Sequence, residues 1–343
     1  MTKTNAGHFF EDYTIGQTFR HGPLRTVGAG ERALYQALYP TRFGLSVSDP
    51  LAQFLGLPRA PLDDMIVFHK VFGATVPDIS LNAVANLGYA DIRWLRPVYP
   101  DDSLGAVTEV IGLKQNSNSK TGIVWVRTVG INAAGEDVLS FVRWVMVRKR
   151  DVDAPSPTTV VPDLPDHVPA AELAVPQGLD FSDYSLSEAR APHRLGDYEV
   201  GEIIDHIDGV TLEEAEHMMA TRLWQNTAKV HFDVTARPEG KRLIYGGHII
   251  SLARALSFNG LEGAELMVAI NAGAHANPAF AGDTVRAWSE VLDTAETKSP
   301  GVGAIRLRLV ATKGGDVGAL KGEGGKYLPD VLLDLDYWAL MPT

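Results

Sequence analysis

Two stretches of the 343-residue chain hold side chains suited to moving a proton beside developing negative charge. The first is the run Lys229-Val230-His231-Phe232-Asp233, with a histidine at its centre. The second, Tyr245-Gly246-Gly247-His248, opens an apolar stretch that reaches Phe258. Imidazole titrates near neutrality, so His231 and His248 could carry protons, although by residue type alone each reads more simply as a packed histidine. Glycines that open a helix leave amides without carbonyl partners, and the helix dipole adds partial positive charge behind them. A nascent oxyanion would be stabilised there. Cysteine is absent, which removes thiolate catalysis, Cys-ligated zinc and disulfides.

The elements that must position these residues follow from hydrophobic period. Thr211-Leu212-Glu213-Glu214 fits a capping box and predicts a helix running to about Trp224. The stretch from His248 to Phe258 is apolar around most of its circumference and predicts a buried central helix. Alternating β-branched and aromatic residues predict strands over 122–130, 139–147, 304–310 and 331–340. Helix first and meandering strands afterwards imply an α+β fold, with an antiparallel sheet wrapped around one long helix.

That unit is written twice. Glu11-Asp12-Tyr13-Thr14-Ile15-Gly16 is echoed 185 residues later by Gly196-Asp197-Tyr198-Glu199-Val200-Gly201. Asp63-Asp64-Met65-Ile66 answers Gly246-Gly247-His248-Ile249 at an offset of 183, and Pro97 to Leu104 answers Pro278 to Val285 at 181. Three echoes in one order indicate tandem duplication. Seven of the 20 prolines fall within residues 151–192, so 151–190 is expected to be an extended surface connector between units at 8–150 and 191–343. With 31 Lys and Arg against 42 Asp and Glu, the net charge is −11, which disfavours nucleic acid as a partner. No run approaches the length of a spanning helix and the N-terminus has no apolar leader, so a soluble cytoplasmic protein is expected, with no membrane partner.

The order Asp-Tyr-x-x-Gly, a Thr-led helix, a His-x-Asp corner, a Gly-led buried helix and a Pro-x-x-x-Gly-Asp hairpin resembles the MaoC-like hydratases. The resemblance covers both halves and implies a tandem double hot-dog fold. More narrowly, Gly56 to Asp64, Pro77 to Tyr89 and Trp94 to Asp102 are similar to the branch acting on mesaconyl-C1-CoA. It implies reversible hydration of a short branched enoyl-CoA, without cofactor or metal, by a homo-oligomer whose small-molecule partner is a CoA thioester. Another (R)-specific enoyl-CoA hydratase, an acyl-CoA thioesterase and a non-catalytic acyl-CoA-binding protein are the alternative readings.

The same resemblance assigns roles. His231 occupies the family's histidine position, and Gly247 the position whose amide meets the thioester oxygen. Asn226 stands where the family has Asp, so the base is either His231 acting alone or a carboxylate elsewhere, with Asp233, Asp63 and Asp64 as candidates. Tyr245, Gly246 and His248 are expected to flank the pocket. In the first half His231 aligns with Val47, Asn226 with Arg42 and Gly247 with Asp64, so that half is read as a supporting one. Arg42 is then a candidate anchor for a substrate carboxylate or a CoA phosphate, Asp64 a substrate-side residue, and Arg242, with Lys241, Arg222 and Lys229, a source of positive charge.

Overall fold

The computed structural model describes residues 3–343. The first half runs β1 (Thr18–Thr26), α1 (Ala29–Leu38), α2 (Gly44–Val47), α3 (Asp49–Phe54), α4 (Asp64–Ile79), β2 (Ala83–Trp94), β3 (Ser103–Gln115), β4 (Thr121–Asn132) and β5 (Asp137–Arg148). After α5 (Leu186–Ala189), the second half repeats the order without an α-helical counterpart of α3, as β6 (Ile203–Thr211), α6 (Glu214–Trp224), α7 (Lys229–Phe232), α8 (Gly246–Leu256), β7 (Leu266–His275), β8 (Thr284–Glu296), β9 (Val302–Thr312) and β10 (Val331–Pro342). All ten strands form one antiparallel sheet, ordered β1-β3-β4-β5-β2-β7-β10-β9-β8-β6. The halves are joined where β2 pairs with β7, with Tyr89 opposite Gly273 and Ile92 opposite Ile270. Helices α4 and α8 pack on one face of this sheet, each half being a hot dog around its own helix.

Side chains in β10 alternate accordingly. Leu335, Tyr337, Ala339 and Met341 join the helix-side core, while Trp338 and Leu340 face the other way. That second face is covered by the interdomain segment, which corrects the expectation of a connector merely crossing the surface. Leu179, Phe181, Tyr184 and Ala191 are buried against Leu266, Val268, Trp338 and Leu340. Val168 is held at both backbone groups, its amide donating to Asn271 Oδ1 at 2.8 Å and its carbonyl accepting from Trp338 Nε1 at 3.1 Å. A sheet buried on both faces needs such a cover, since the hydrophobic stabilisation scales with apolar area withdrawn from water.

The duplicated motifs have physical explanations. Tyr13 donates to the carbonyl of Ile79, the last residue of α4, and Tyr198 to the Gly260 carbonyl beyond α8, both at 2.9 Å. Each tyrosine thus satisfies a carbonyl near the end of a central helix. Asp102 and Asp283 accept the amides of Tyr99 and Phe280, at 2.8 and 3.0 Å, and fix the two matching hairpins. The expected capping box at Thr211 does not form. Thr211 ends β6 with its hydroxyl on Thr284 Oγ1 at 2.9 Å, and Glu213 is the residue that precedes α6. Cross-strand threonine pairing has taken the hydroxyl the cap would need. No helix among the described residues is long and apolar enough to cross a membrane.

Candidate active site

A cavity of about 270 Å³ lies between the halves, lined by His231, Asn226, Tyr245, Gly246 and His275 from the second and by Phe72, Val76, Asn86, Tyr89 and Arg143 from the first. Its volume suits a small acyl group, with any larger attached moiety left outside. Both hot dogs build it, so the first half is part of the wall.

His231 sits in the single turn of α7, and its Nδ1–H donates to the Leu243 carbonyl at 2.7 Å. That bond fixes the tautomer, because a carbonyl can only accept, and it leaves Nε2 with a free lone pair. Burial pushes the imidazole down to about 4, against which the Leu243 bond is a smaller, opposing effect. At pH 7 about one ring in a thousand is protonated. Proton acceptance therefore survives well below neutrality. If His231 is the base, kcat/KM stays flat from pH 8 to about 5 and falls with falling pH only near 4, where the ring charges. A pH series of initial rates checks this, and an acidic limb at 6 to 7 would assign the base to another group.

Asn226 is 2 % exposed, and its Oδ1 accepts the Ala228 amide at 3.2 Å. The carbonyl oxygen is thereby committed to shaping the turn before α7. Its Nδ2 makes no hydrogen bond among the described residues, so the cavity is offered a donor and no base.

Gly246 and Gly247 are the first two residues of α8, and Tyr245 before them provides no side-chain cap. Their amides lack intrahelical partners by position, whereas that of His248 already bonds the Tyr245 carbonyl at 2.9 Å. Gly246 lines the cavity and Gly247 does not. A Cβ on Gly246 would lie 2.4 Å from the His275 ring, and one on Gly247 would collide with Tyr245 and His69. The wall of the expected oxyanion site is thus formed one residue before Gly247. Gly246→Ala should displace His275 and lower kcat about tenfold, since small misplacements in an active site are costly. Activity equal to the wild type would show that this approach is not needed.

In the first half the equivalent helix end is closed. Asp63 Oδ1 accepts the Met65 amide at 3.0 Å, and Asp64 Oδ2 accepts the Met267 amide at 2.7 Å. Asp63 thus takes up a first-turn amide of the kind that the second half leaves free, which closes that helix end to an anion.

Several expected residues lie elsewhere. His248, in the first turn of α8, is buried with Nδ1 on the Tyr39 hydroxyl at 2.7 Å and lies off the cavity wall. Arg42 stacks over Phe258 at 4.4 Å in a separate outer groove, off the wall of this cavity. Asp64 is tied to β7 and is likewise absent from the wall. Arg242 pairs with Glu214, Nε to Oε2 at 2.6 Å, at the start of α6. Asp233 accepts from Thr235 as a corner cap, and Asp63 caps α4, so none of the three carboxylates considered as base reaches the cavity. The alignment of the halves also shifts. Matching α2 to α7 gives an offset of 185, which pairs His231 with Ser46 and Asn226 with Thr41 in place of Val47 and Arg42. Matching α4 to α8 gives 182, pairing Gly246 with Asp64 and Gly247 with Met65.

Other wall residues escaped the sequence reading. His275 ends β7 with Nε2 3.1 Å from the Tyr89 hydroxyl, and burial lowers its pKa to about 4. Tyr89 reaches it across the β2–β7 junction, which joins residues 186 apart in the chain. Only the phase of Arg143 gave a signal, since it lies in register with the core residues Phe141, Val145 and Val147 of β5.

Residues 1–323 match the family described as Mesaconyl-CoA hydratase. The chain is 68% identical to the mesaconyl-CoA hydratase of Cereibacter sphaeroides over 341 residues, covering 99% of each chain. It is similar to the crystal structure of a putative MaoC domain protein dehydratase from Chloroflexus aurantiacus, with TM-score 0.97, 55% identity and coverage of 100% of this chain and 99% of that one. A double-hotdog protein of Mycobacterium tuberculosis, 24% identical with TM-score 0.76, shares the fold over 97% of this chain and 98% of its own.

Proposed function

The chain belongs to the mesaconyl-CoA hydratase family, and from that premise we propose that it adds water reversibly to mesaconyl-C1-CoA, giving β-methylmalyl-CoA. The observation that carries the chemistry is the free Nε2 of His231 sharing one small cavity with the uncapped start of α8. A conjugated thioester accepts water at its β-carbon as the π electrons shift towards the thioester oxygen. The first amides of α8 stabilise that oxygen, and the low dielectric of the pocket strengthens the interaction. His231 Nε2 takes one proton from the attacking water, and the new C–O bond forms at the β-carbon. The same proton then goes to the α-carbon as the enolate collapses, so one H₂O is added overall and the imidazole returns to its neutral form. Asn226 Nδ2 supports this step as a donor to the water oxygen, leaving proton transfer to the histidine. The methyl branch finds an apolar wall in Val76, Val230 and Ile249.

The test is incubation of the purified protein with mesaconyl-C1-CoA while enoyl absorbance and free thiol are followed together. Loss of enoyl absorbance without thiol release is expected. Thiol release would make the protein a thioesterase, and neither change would make it a binding protein.

A further inference from the structure

We propose that Arg143, with Asn86 beside it in the cavity wall, binds the free carboxylate of the substrate and sets a preference for a dicarboxylic acid thioester over a neutral one. The inference rests on mesaconyl-C1-CoA being the substrate. Arg143 comes from the middle of β5 and is 0 % exposed. Its Nη2 donates to Thr75 Oγ1 at 2.7 Å, both terminal nitrogens stand 3.5 Å from Ser80 Oγ, and Nε has no partner. The guanidinium also lies over the Phe72 ring, 4.2 Å from its centroid.

No ion pair of the described residues includes Arg143. Asp78, an acid near the same end of α4, is held by His21 Nδ1 at 2.7 Å. A buried cation without an anion is expensive, and such charges are normally paired. Burial lowers this guanidinium only to about 10, so it stays charged at neutral pH. Asn86 is the second anomaly, since both its Nδ2 and its Oδ1 are buried without a hydrogen-bond partner. Two unsatisfied polar groups therefore share a largely apolar cavity, and a planar anion that accepts from a guanidinium and an amide would satisfy both.

The substrate brings such an anion to the right region. In mesaconyl-C1-CoA the carboxylate is attached to the β-carbon that water attacks, so its binding group must lie near the base. Phe72, under Arg143, is 5.9 Å from the Tyr245 ring, which is 5.7 Å from that of His231. A cation there also offsets the electron donation by which a carboxylate opposes attack on its neighbouring carbon.

Succinyl-CoA and butyryl-CoA are saturated probes that differ in this carboxylate and cannot be hydrated. Calorimetric titration of the full-length protein should show succinyl-CoA binding about 30-fold or more tighter than butyryl-CoA. Arg143→Gln should abolish the difference while leaving butyryl-CoA affinity nearly unchanged. Asn86→Leu removes no hydrogen bond of the fold and should cut the preference at least about 5-fold, which decides the matter if Arg143→Gln does not fold. Equal weakening of both esters by Arg143→Gln, or an unchanged preference in Asn86→Leu, would overturn the proposal. Because neither probe is turned over, failure to hydrate mesaconyl-C1-CoA would sink the functional reading separately and leave this result standing.

Discussion

Replacing His231 by alanine should lower kcat/KM for mesaconyl-C1-CoA by about 100- to 10,000-fold, the range for loss of a positioned proton-transfer group. The upper part of that range is expected because the cavity offers little to replace it. Asp63, Asp64 and Asp233 are engaged elsewhere, and Asn226 cannot accept a proton usefully. His275 also lines the cavity, but its Nε2 is committed to Tyr89. Folding should be little affected. His231 is half-buried at the cavity edge, and its one hydrogen bond ties α7 to the Leu243 carbonyl. Parallel melting curves and turnover assays separate the two effects. Unaltered kcat would remove His231 from the mechanism, and a large fall in Tm would make it a packing residue instead.

The acidic side of the stability curve should report the desolvated imidazoles, His231 among them. His69, His206, His217, His231, His248 and His275 are all held at about 3 to 4 by burial, below the ordinary histidine value. Between about 6.5 and 4 the unfolded chain binds protons that the native state refuses, so these groups make stability fall as pH falls through that window. Glu265 works in the opposite direction, because burial raises it to about 7 and the native state takes its proton first. Six histidines against three raised carboxyls, Glu265, Asp63 and Asp64, make the histidine contribution the larger in count.

What the sequence made legible was whatever recurs locally. The Asp-Tyr-x-x-Gly echo marks tyrosines that perform one task twice, and Gly246-Gly247 before an apolar run marks a helix start by local chemistry. Tyr89 and His275 meet only because β2 and β7 pair across the junction of the halves, a contact that no local pattern encodes. Arg42 aligns with the site by a sequence offset, yet in the fold it lies over Phe258 in a groove apart from the cavity. Arg143 looked like one charge within a strand. Its phase with Phe141 and Val145 was the available sign that it points inwards, and inward phase alone does not distinguish a braced arginine from a binding one. The offset between halves drifts from 185 to 182 within the site region, so pairing His231 with Val47, Asn226 with Arg42 and Gly247 with Asp64 misses each structural equivalent by one residue.

Asn226→Asp should lower kcat/KM for mesaconyl-C1-CoA by about 100-fold, and for crotonyl-CoA by much less. An aspartate keeps the acceptor that holds the Ala228 amide, so the turn before α7 survives the change. What changes is the cavity side, where a donor becomes an anion. Two like charges about 6 Å apart at an effective dielectric near 20 repel by about 2 to 3 kcal/mol, which corresponds to roughly 100-fold. Crotonyl-CoA lacks the carboxylate and feels only the developing charge on its thioester oxygen. Burial would also raise the pKa of the new carboxyl. The variant's defect on mesaconyl-C1-CoA should therefore ease as pH falls and the group takes a proton, whereas wild-type activity should be flat over the same range. Measuring kcat/KM of the variant for both esters from pH 5 to 8 tests charge and position together. A rise on both esters would mean that residue 226 is a lapsed general base that aspartate restores. Small, equal, pH-independent losses would place Asn226 outside the reacting region.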